Sequence, residues 1–198
     1  MRKAFILAAL ISIFSIASAQ NRFDAAAFVG LNLSQVDGDG AGHYNHLGLR
    51  AGVGSSFDLG APWRIGVELA FTQKGAQTAN TGSIDLQYIE MPILLSYSLL
   101  DDQLRIAAGV APAVLVASKV TFDGIEDPIH SANYKRIDGL PITVALRYRF
   151  ADHWCIDGRW QNSMLSVSKS NAVGTYRLFR SNKGTFSRLL TIGVAYQF

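Results

Sequence analysis

The sequence predicts an all-β fold, an eight-stranded antiparallel up-and-down transmembrane β-barrel with short periplasmic turns and long extracellular loops. Three observations predict it: apolar and polar residues alternate in eight segments, short and long connections take turns between these segments, and aromatic residues gather at one end. The alternation is clearest in residues 189–198. One face of that segment consists of Leu190, Ile192, Val194, Tyr196 and Phe198. A C-terminal strand ending on an aromatic residue resembles the closing strand of bacterial outer-membrane barrels.

The N-terminus has the composition of a secretory signal peptide. A short basic start precedes an apolar run over residues 4–16, and Ala17-Ser18-Ala19 supplies the small residues of a cleavage site. The apolar run is too short for a stable membrane span, which disfavours the alternative of an anchoring helix. We therefore expect a cleaved signal peptide at residues 1–19 and one barrel domain at residues 20–198.

Charge and cysteine content exclude several classes of partner and site. The formal net charge of +3 falls to +1 when the two basic residues of the signal peptide, Arg2 and Lys3, are removed. No run of Lys and Arg predicts a phosphate-tracking surface, so we expect no nucleic acid partner. The single Cys155 excludes an intrachain disulfide framework. After the signal peptide no apolar run has the length of a helical span, so membrane insertion requires a closed barrel.

The first four segments each place apolar side chains on one face. Residues 23–33 and 47–57 alternate, although Phe28 lies on the polar side of the first and Ser55 on the apolar side of the second. Residues 58–62 have the composition of a turn, and the third segment, residues 63–71, alternates from its first residue to its last. The fourth segment, residues 84–98, alternates as well, although Leu94 interrupts its polar side.

The last four segments follow the same rule. They cover residues 103–118, 142–150, 154–161 and 189–198. The connections after segments two, four and six have only a few residues, whereas those after segments one, three, five and seven are longer and polar. The longer connections are residues 34–46, 74–83, 119–140 and 163–187. This alternation of connection lengths is typical of outer-membrane barrels. Pro92 and Pro112 lack a ladder donor, so we expect a bulge or a local break near each.

The aromatic residues indicate which face looks outward. Nine of them lie on the apolar face at the short-turn end: Phe23, Phe57, Trp63, Tyr97, Tyr148, Phe150, Trp154, Tyr196 and Phe198. Aromatic rings collect at this level because they suit the headgroup boundary of a membrane. The alternative is a soluble lipocalin-like barrel in the periplasm, which would bury the apolar face around a ligand.

The opposite face combines small and charged residues, which suits the narrow interior of an eight-stranded barrel. Its charged residues are Arg50, Arg64, Glu68, Glu90, Arg105, Arg147, Arg149, Asp157 and Arg159. We expect the arginines to pair with Glu68, Glu90 and Asp157 across the lumen, because buried charges require partners. A salt-bridged plug is favoured over a conduction path, and the excess of Arg would bias any pore towards anions.

Several stretches resemble a known family, the PorT-like outer-membrane β-barrel proteins of Bacteroidetes. The resemblance covers the mature chain and rests on Gly30-Leu31-Asn32-Leu33-Ser34, Leu47-Gly48-Leu49-Arg50-Ala51-Gly52-Val53, Leu86-Gln87-Tyr88-Ile89-Glu90-Met91-Pro92-Ile93-Leu94-Leu95 and Gly109-Val110-Ala111-Pro112. It implies an outer-membrane location and an eight-stranded barrel, and it makes Pro92 a family feature. The best-known member is linked to protein secretion across the outer membrane, whereas most relatives have no assigned activity.

The sequence predicts no catalytic residue, no cofactor and no metal site. Residues 37–40 begin like a calcium loop, but Gly48 occupies the position where an EF-hand needs a bidentate Glu. His43 and His46 lack further ligands, and His153 sits in a short turn at the membrane interface. We expect Cys155 to be a packed thiol.

We therefore expect a non-enzymatic barrel, in contact with outer-membrane lipid and monomeric, with a structural or loop-mediated role in secretion or another envelope function. Residues able to contact a protein partner in the long loops are Tyr44, Phe122, Tyr134, Tyr176, Phe179 and Arg180. The alternatives are the soluble ligand-binding barrel and a lipid-modifying barrel enzyme. The enzyme would need a nucleophile and a His on the outer surface near the long-loop end, and the sequence shows no such set.

Overall fold

The computed structural model describes residues 23–37, 44–78, 82–138, 140–169, 175–177 and 182–198. The predicted signal peptide and most of the calcium-like stretch, residues 38–40, lie outside these ranges, as does His43. The described residues form the strands β1 (Phe23–Asp37), β2 (His46–Gly60), β3 (Trp63–Thr78), β4 (Gly82–Glu90), β5 (Ile93–Leu99), β6 (Leu104–Val110), β7 (Ala113–Phe122), β8 (Ile125–Glu126), β9 (Ile137–Asp138), β10 (Pro141–Arg149), β11 (Trp154–Ser163), β12 (Thr175–Arg177), β13 (Asn182–Gly184) and β14 (Phe186–Gln197), and the one-turn helix α1 (Pro128–Ser131).

The strands close into an antiparallel eight-stranded barrel. Each of the eight barrel strands is called a wall here, because two of them are interrupted and carry two strand labels. β1, β2, β3, β10, β11 and β14 are six of the walls, and the other two are β4 with β5 and β6 with β7. Each wall pairs with the next along the chain, and β14 closes the barrel by pairing with β1 from Ala26↔Gln197 to Asp37↔Phe186. The predicted eight-stranded up-and-down barrel is therefore confirmed.

The ladder is interrupted at each of the two prolines, as predicted. Pro92 separates β4 from β5, and Pro112 separates β6 from β7. The walls nevertheless stay joined, because the Met91 N–H donates to the Pro112 carbonyl and the Glu68 N–H donates to the Pro92 carbonyl, each at 2.9 Å. A register shift beside Tyr88 marks a bulge farther along the same wall.

The apolar face points outward, as the position of the aromatic residues predicts. Large apolar side chains on every wall are exposed, and Ile192 reaches 65% exposure. Neighbouring walls pair their aromatic rings at the short-turn end, with centroid separations of 4.9 Å for Phe23–Phe57 and 5.0 Å for Trp63–Tyr97. These pairs form the predicted girdle. An outer surface of this kind suits lipid, since exposed apolar area on this scale is not stable in water.

Several walls extend farther at the end away from the girdle than the sequence predicts. β1 continues to Asp37, β3 to Thr78 and β7 to Phe122, so parts of the predicted polar connections are strand. Above the apolar band the outer faces of these walls also carry polar residues, such as Gln73 and Lys119, and hydrophobic alternation therefore stops before the hydrogen-bonded ladder does. No helix within the described ranges is long and apolar enough to cross a membrane.

Candidate functional site

The lumen contains three groups of charged side chains, the uppermost with two polar partners, stacked from the short-turn end upward. The lower cluster consists of Asp24, Asp58, Arg64, Asp102, Arg105 and Arg149. The middle cluster consists of Arg50, Glu68, Arg147, Asp157 and Arg159. The upper cluster consists of Lys74, Glu90, Asp138, Gln161 and Ser163. Strand alternation directs all these side chains inward from different walls.

Glu68 is the centre of the middle cluster. Its Oε2 accepts hydrogen bonds of 2.7 Å from Arg50 Nη2 and from Arg159 Nη1, and its Oε1 accepts one of 2.8 Å from Arg159 Nη2. Asp157 binds Arg159 from the same wall and receives Nε and Nη2 of Arg147 at 3.0 and 2.9 Å. The predicted pairing of Glu68 and Asp157 with lumen arginines is therefore confirmed.

An aromatic ring fills the space between two of these arginines. The guanidinium carbon of Arg50 lies 4.2 Å from the centroid of the Phe28 ring, and that of Arg159 lies 5.6 Å from it. Gly52 makes room for the ring, because a Cβ at that position would lie only 2.7 Å from Phe28 Cζ. The small residues of the inner face thus allow large charged and aromatic groups to meet in the lumen.

Asp102 organises the lower cluster from the turn that joins β5 to β6. Its carboxylate accepts hydrogen bonds from Arg105 Nε at 2.7 Å, from Ser98 Oγ at 2.6 Å and from Arg149 Nη2 at 2.9 Å. Burial raises the pKa of Asp102, but the hydrogen bonds from Arg105 and Ser98 and the nearby guanidinium charges outweigh burial and hold this pKa well below its ordinary value. The carboxylate is therefore charged, and it links the β5–β6 turn to Arg105 of β6 and Arg149 of β10 at the short-turn end of the lumen.

The upper cluster corrects two predictions. Glu90 was expected to pair with an arginine, but its Oε1 lies 2.5 Å from Nζ of Lys74. Lys74 was placed in a loop, yet it lies in β3 with its side chain 1% exposed, beside a Glu90 that is 0% exposed. Thr72 Oγ1 and Gln161 Nε2 each donate to Glu90 at 3.1 Å. The two opposite charges thus compensate each other, and the buried pair is well hydrogen-bonded.

Asp138 adds a further acid that the sequence analysis did not place in the lumen. The ladder runs from Glu90 through Ala113 to Asp138, which puts the two acids on either side of one small residue. Asp138 Oδ2 accepts a 2.5 Å hydrogen bond from Ser163 Oγ. Asp138 Oδ1 and Tyr88 OH are buried and have no hydrogen-bond partner among the described protein atoms, which is the pattern that ordered water satisfies.

The additional residues change the charge balance of the lumen. The three clusters contain the basic residues Arg50, Arg64, Lys74, Arg105, Arg147, Arg149 and Arg159 and the acidic residues Asp24, Asp58, Glu68, Glu90, Asp102, Asp138 and Asp157. Acids and bases are equal in number. The predicted excess of Arg was wrong, because it omitted four acids: Asp24 and Asp58 at the short-turn ends of β1 and β2, Asp102 in a turn and Asp138 in β9.

One cavity lies between the middle and lower clusters. Its volume is about 60 Å³, and Phe28, Glu68, Arg105, Arg147 and Asp157 line it. A cavity of this size holds a few water molecules. The charged clusters above and below it limit the space for any larger solute.

A Ser–His–Asp arrangement lies at the rim, away from the girdle. Ser34 Oγ lies 3.3 Å from His46 Nδ1, and His46 Nε2 lies 2.6 Å from Asp85 Oδ1. The sequence analysis considered such a set only on the outer surface, and it did not single out this inward-facing one. The Ser34 side chain, however, is 0% exposed, accepts from the Gly75 N–H at 2.8 Å and can donate to the Gly75 carbonyl at 3.1 Å. The arrangement therefore joins four walls inside the barrel and does not present a nucleophile outward.

The remaining predicted residues fall into simple roles. Cys155 is 1% exposed and packs with Phe28 and Ala195, as expected of a packed thiol. The His153 ring stacks on Tyr196 at 5.3 Å in the girdle. Among the described residues no group of His, Cys, Asp and Glu could hold a metal ion.

The predicted loop contacts are only partly described. Phe122 is exposed and lies edge-on to His130 at 5.6 Å, whereas Tyr44 and Tyr134 are half-buried. The side chain of Tyr176 and residues 178–181, which include Phe179 and Arg180, lie outside the described part of the chain.

Comparison with known proteins agrees with this geometry. Two solved structures resemble the chain in fold: the attachment invasion locus protein Ail of Yersinia pestis, with 14% identity, a TM-score of 0.54 and coverage of 89% of this chain and 99% of Ail, and Neisserial surface protein A (NspA), with 13% identity, a TM-score of 0.55 and coverage of 90% and 98%. No curated protein matches the sequence. The family model described as outer membrane protein beta-barrel domain matches residues 18–169. The chain therefore belongs to the outer membrane protein β-barrel domain family.

Proposed function

We propose that this protein is a non-enzymatic, monomeric barrel of the outer membrane with a structural or loop-mediated interaction role in the cell envelope. The PorT-like resemblance supports an association with secretion or another envelope process, and a signal peptide cleaved after residue 19 directs the chain through the inner membrane. The short turns face the periplasm, and the opposite end of the barrel faces the outside.

The observation that supports this role best is the closed lumen. Three layers of paired charges cross it. In the middle layer, Glu68 from β3 and Asp157 from β11 pair with arginines from β2, β10 and β11. A path for solutes would have to break these buried pairs, at a cost of several kcal/mol. We infer that the paired charges in the lumen stiffen the barrel. The end away from the girdle is then the surface that partners can contact.

The comparisons favour binding over catalysis. Ail of Yersinia pestis has also been solved in complex with the heparin analogue sucrose octasulfate, which supports a binding role for a barrel of this shape. Among the described residues, the Ser34–His46–Asp85 arrangement is the feature that favours a lipid-modifying enzyme. The complete burial of the Ser34 hydroxyl opposes this alternative, since an attacking oxygen must reach its substrate.

Heat-modifiability tests the barrel directly. We expect unboiled protein from the membrane fraction to migrate differently from boiled protein on a detergent gel, because a closed barrel resists detergent unfolding. Protein that is soluble and shows no shift would contradict the proposal and favour the lipocalin-like alternative.

Thiol labelling of intact cells tests the orientation. Ile129 in α1 is 82% exposed, so we expect Ile129→Cys to react with a membrane-impermeant maleimide added to cells. Asp152→Cys, in the exposed turn between β10 and β11, is the matched control and should react only after lysis. The native Cys155 is buried and gives little background. The reverse labelling pattern would show that the barrel is inserted the other way.

A further inference from the structure

We propose that the carboxyl group of Asp138 holds a proton when the barrel is folded at neutral pH, and that loss of this proton to water weakens the docking of β9 in the barrel wall. Asp138 is then a proton-binding site in the upper lumen and a pH-sensitive anchor for the chain before β10. This inference goes beyond the proposed function, because it concerns the interior of the barrel and does not depend on any partner.

The carboxyl group of Asp138 is buried and has few hydrogen bonds. The residue is 3% exposed. Its Oδ2 lies 2.5 Å from Ser163 Oγ of β11, whereas its Oδ1 has no hydrogen-bond partner among the described protein atoms. A buried carboxylate is stable when a cation or several donors contact it. A hydroxyl group accepts as well as donates, so the single contact with Ser163 also suits a protonated carboxyl group.

The acids and bases of the lumen are equal in total number but not in each cluster. The middle cluster contains three arginines and two acids. The upper cluster contains two acids, Glu90 and Asp138, and one base, Lys74. Lys74 Nζ lies 2.5 Å from Glu90 Oε1, and the described residues form no ion pair with Asp138. One carboxyl group of the upper cluster therefore lacks a counter-charge in contact with it.

Of the two acids in the upper cluster, Glu90 has the contacts that stabilise a charge. It binds Lys74 and accepts hydrogen bonds of 3.1 Å from Thr72 Oγ1 and Gln161 Nε2. The ladder places Asp138 beyond a single small residue, Ala113, from Glu90. Ionising both acids would therefore add repulsion between like charges inside the lumen. We accordingly place the proton on Asp138.

The other charged and titratable groups around Asp138 do not replace the proton. They are Lys74 of β3, Tyr88 and Glu90 of β4, and Tyr134 and Lys135 before β9. Lys135 is half-buried and acts on Asp138 electrostatically, but it forms no ion pair in the described part of the chain. A charge without contact lowers the cost of ionisation only in part. A bound metal ion is not an alternative, since no group of His, Cys, Asp and Glu within the described ranges could hold one.

The position of Asp138 makes the docking of β9 sensitive to its charge. β9 consists of two residues and pairs with β7 only through Ala113↔Asp138 and Val114↔Ile137. Ile137 is 64% exposed, so the buried side of β9 is Asp138 itself. An ionised Asp138 would need water or a cation that the buried position does not supply. Movement of β9 towards solvent relieves this cost, and the docking weakens.

The first test is the pH dependence of urea unfolding of the full-length protein in detergent, compared with Asp138→Asn. The unfolded chain ionises this acid above about pH 3.9, whereas the folded chain keeps the proton. Stability from the bound proton is thus complete below that pH and is lost as the pH rises. Relative to Asp138→Asn, which does not titrate, the folding equilibrium constant of the unchanged protein should fall about tenfold per pH unit between about pH 5 and pH 7.

The matched control is Glu126→Gln, because Glu126 is an exposed acid that faces Lys119 at 3.9 Å. It should show the same pH dependence as the unchanged protein. Equal pH dependence in the unchanged protein and in Asp138→Asn would overturn the proposal, since it would mean that Asp138 is charged in the folded barrel. Infrared spectroscopy of the unchanged protein should show the carbonyl band of a protonated carboxyl group at neutral pH, and absence of this band would overturn the proposal even if Asp138→Asn does not fold.

Hydrogen exchange tests the docking of β9. The Leu115 N–H donates to the Arg136 carbonyl at 2.8 Å, so its exchange rate reports whether the chain before β9 stays on β7. As the pH rises above neutrality, this amide should exchange increasingly faster in the unchanged protein than in Asp138→Asn at the same pH. A ratio of the two rates that stays constant with pH would show that the charge of Asp138 does not control the docking.

Discussion

Replacing Glu68 with alanine is expected to lower the free energy of unfolding by about 3–5 kcal/mol, the range for breaking a buried ion pair by removing one partner. Glu68 receives Arg50 and Arg159 at 2.7 Å, and Arg147 lies 3.4 Å away. Without it, Asp157 is the remaining acid of the middle cluster, and it faces two buried arginines and the half-buried Arg147. The other acid near Arg50, Glu90, is already paired with Lys74 at 2.5 Å, so at least one arginine loses its counter-charge in a narrow lumen.

Urea-dependent folding into detergent or lipid, followed by the heat-modifiable band, measures this loss. Glu126→Ala is the matched control, because Glu126 is an exposed acid that faces Lys119 at 3.9 Å. Its removal should change the free energy of unfolding by less than about 1 kcal/mol. A Glu68→Ala barrel as stable as the control variant would show that the middle cluster contributes little to folding.

The double variant Glu68→Ala, Glu90→Ala tests the closed lumen. Removing Glu90 leaves Lys74 without its ion-pair partner, so two of the three clusters are disrupted at once. We expect a less stable barrel that shows no discrete channel currents in planar bilayers, because eight strands enclose too little space for a pore once side chains fill it. Discrete currents would mean that the charges, and not the walls, close the barrel.

The faces of the barrel were predictable because strand geometry has a period of two. Once Trp63 and Tyr97 were assigned to the outer face, every second residue of their walls followed them. The girdle was predictable for the same reason, since membrane interfaces select aromatic rings and the pairs lie in register across neighbouring walls. The inner face then had to carry Glu68 and Asp157.

The upper lumen was not predictable in the same way. Lys74 lies beyond the apolar band, where both faces of β3 are polar and alternation carries no information. Asp138 lies in a two-residue strand that exists only because β7 supplies a partner edge. Asp102 points inward from a turn with positive φ values, 66° at Asp102 itself, and no periodic pattern specifies such a direction. Tertiary pairing, which a single sequence does not display, determines all three positions.

Ile192→Arg is expected to lower the free energy of unfolding in lipid by about 2–4 kcal/mol, the cost of an arginine on the lipid face at the bilayer midplane. Ile192 is 65% exposed and pairs in register with Leu31 and Gly158. It lies four residues above Tyr196, which places it roughly 10 Å above the girdle and near the middle of the apolar band. Neither of the residues paired with it is an acid that could compensate the new charge.

The size of this loss in the free energy of unfolding separates a lipid-facing wall from a water-facing one. On a soluble barrel the same substitution would replace an exposed apolar side chain by a solvated one, with an effect within about 0.5 kcal/mol. In lipid the cost must fall from the bilayer midplane towards the interface, so Phe198→Arg at the girdle should cost only about 0–1 kcal/mol. Ile192→Ala controls for the lost side chain. An Ile192→Arg barrel that folds as stably as Phe198→Arg in vesicles would place the outer face in water, because only a hydrocarbon environment makes the cost depend on height along the wall.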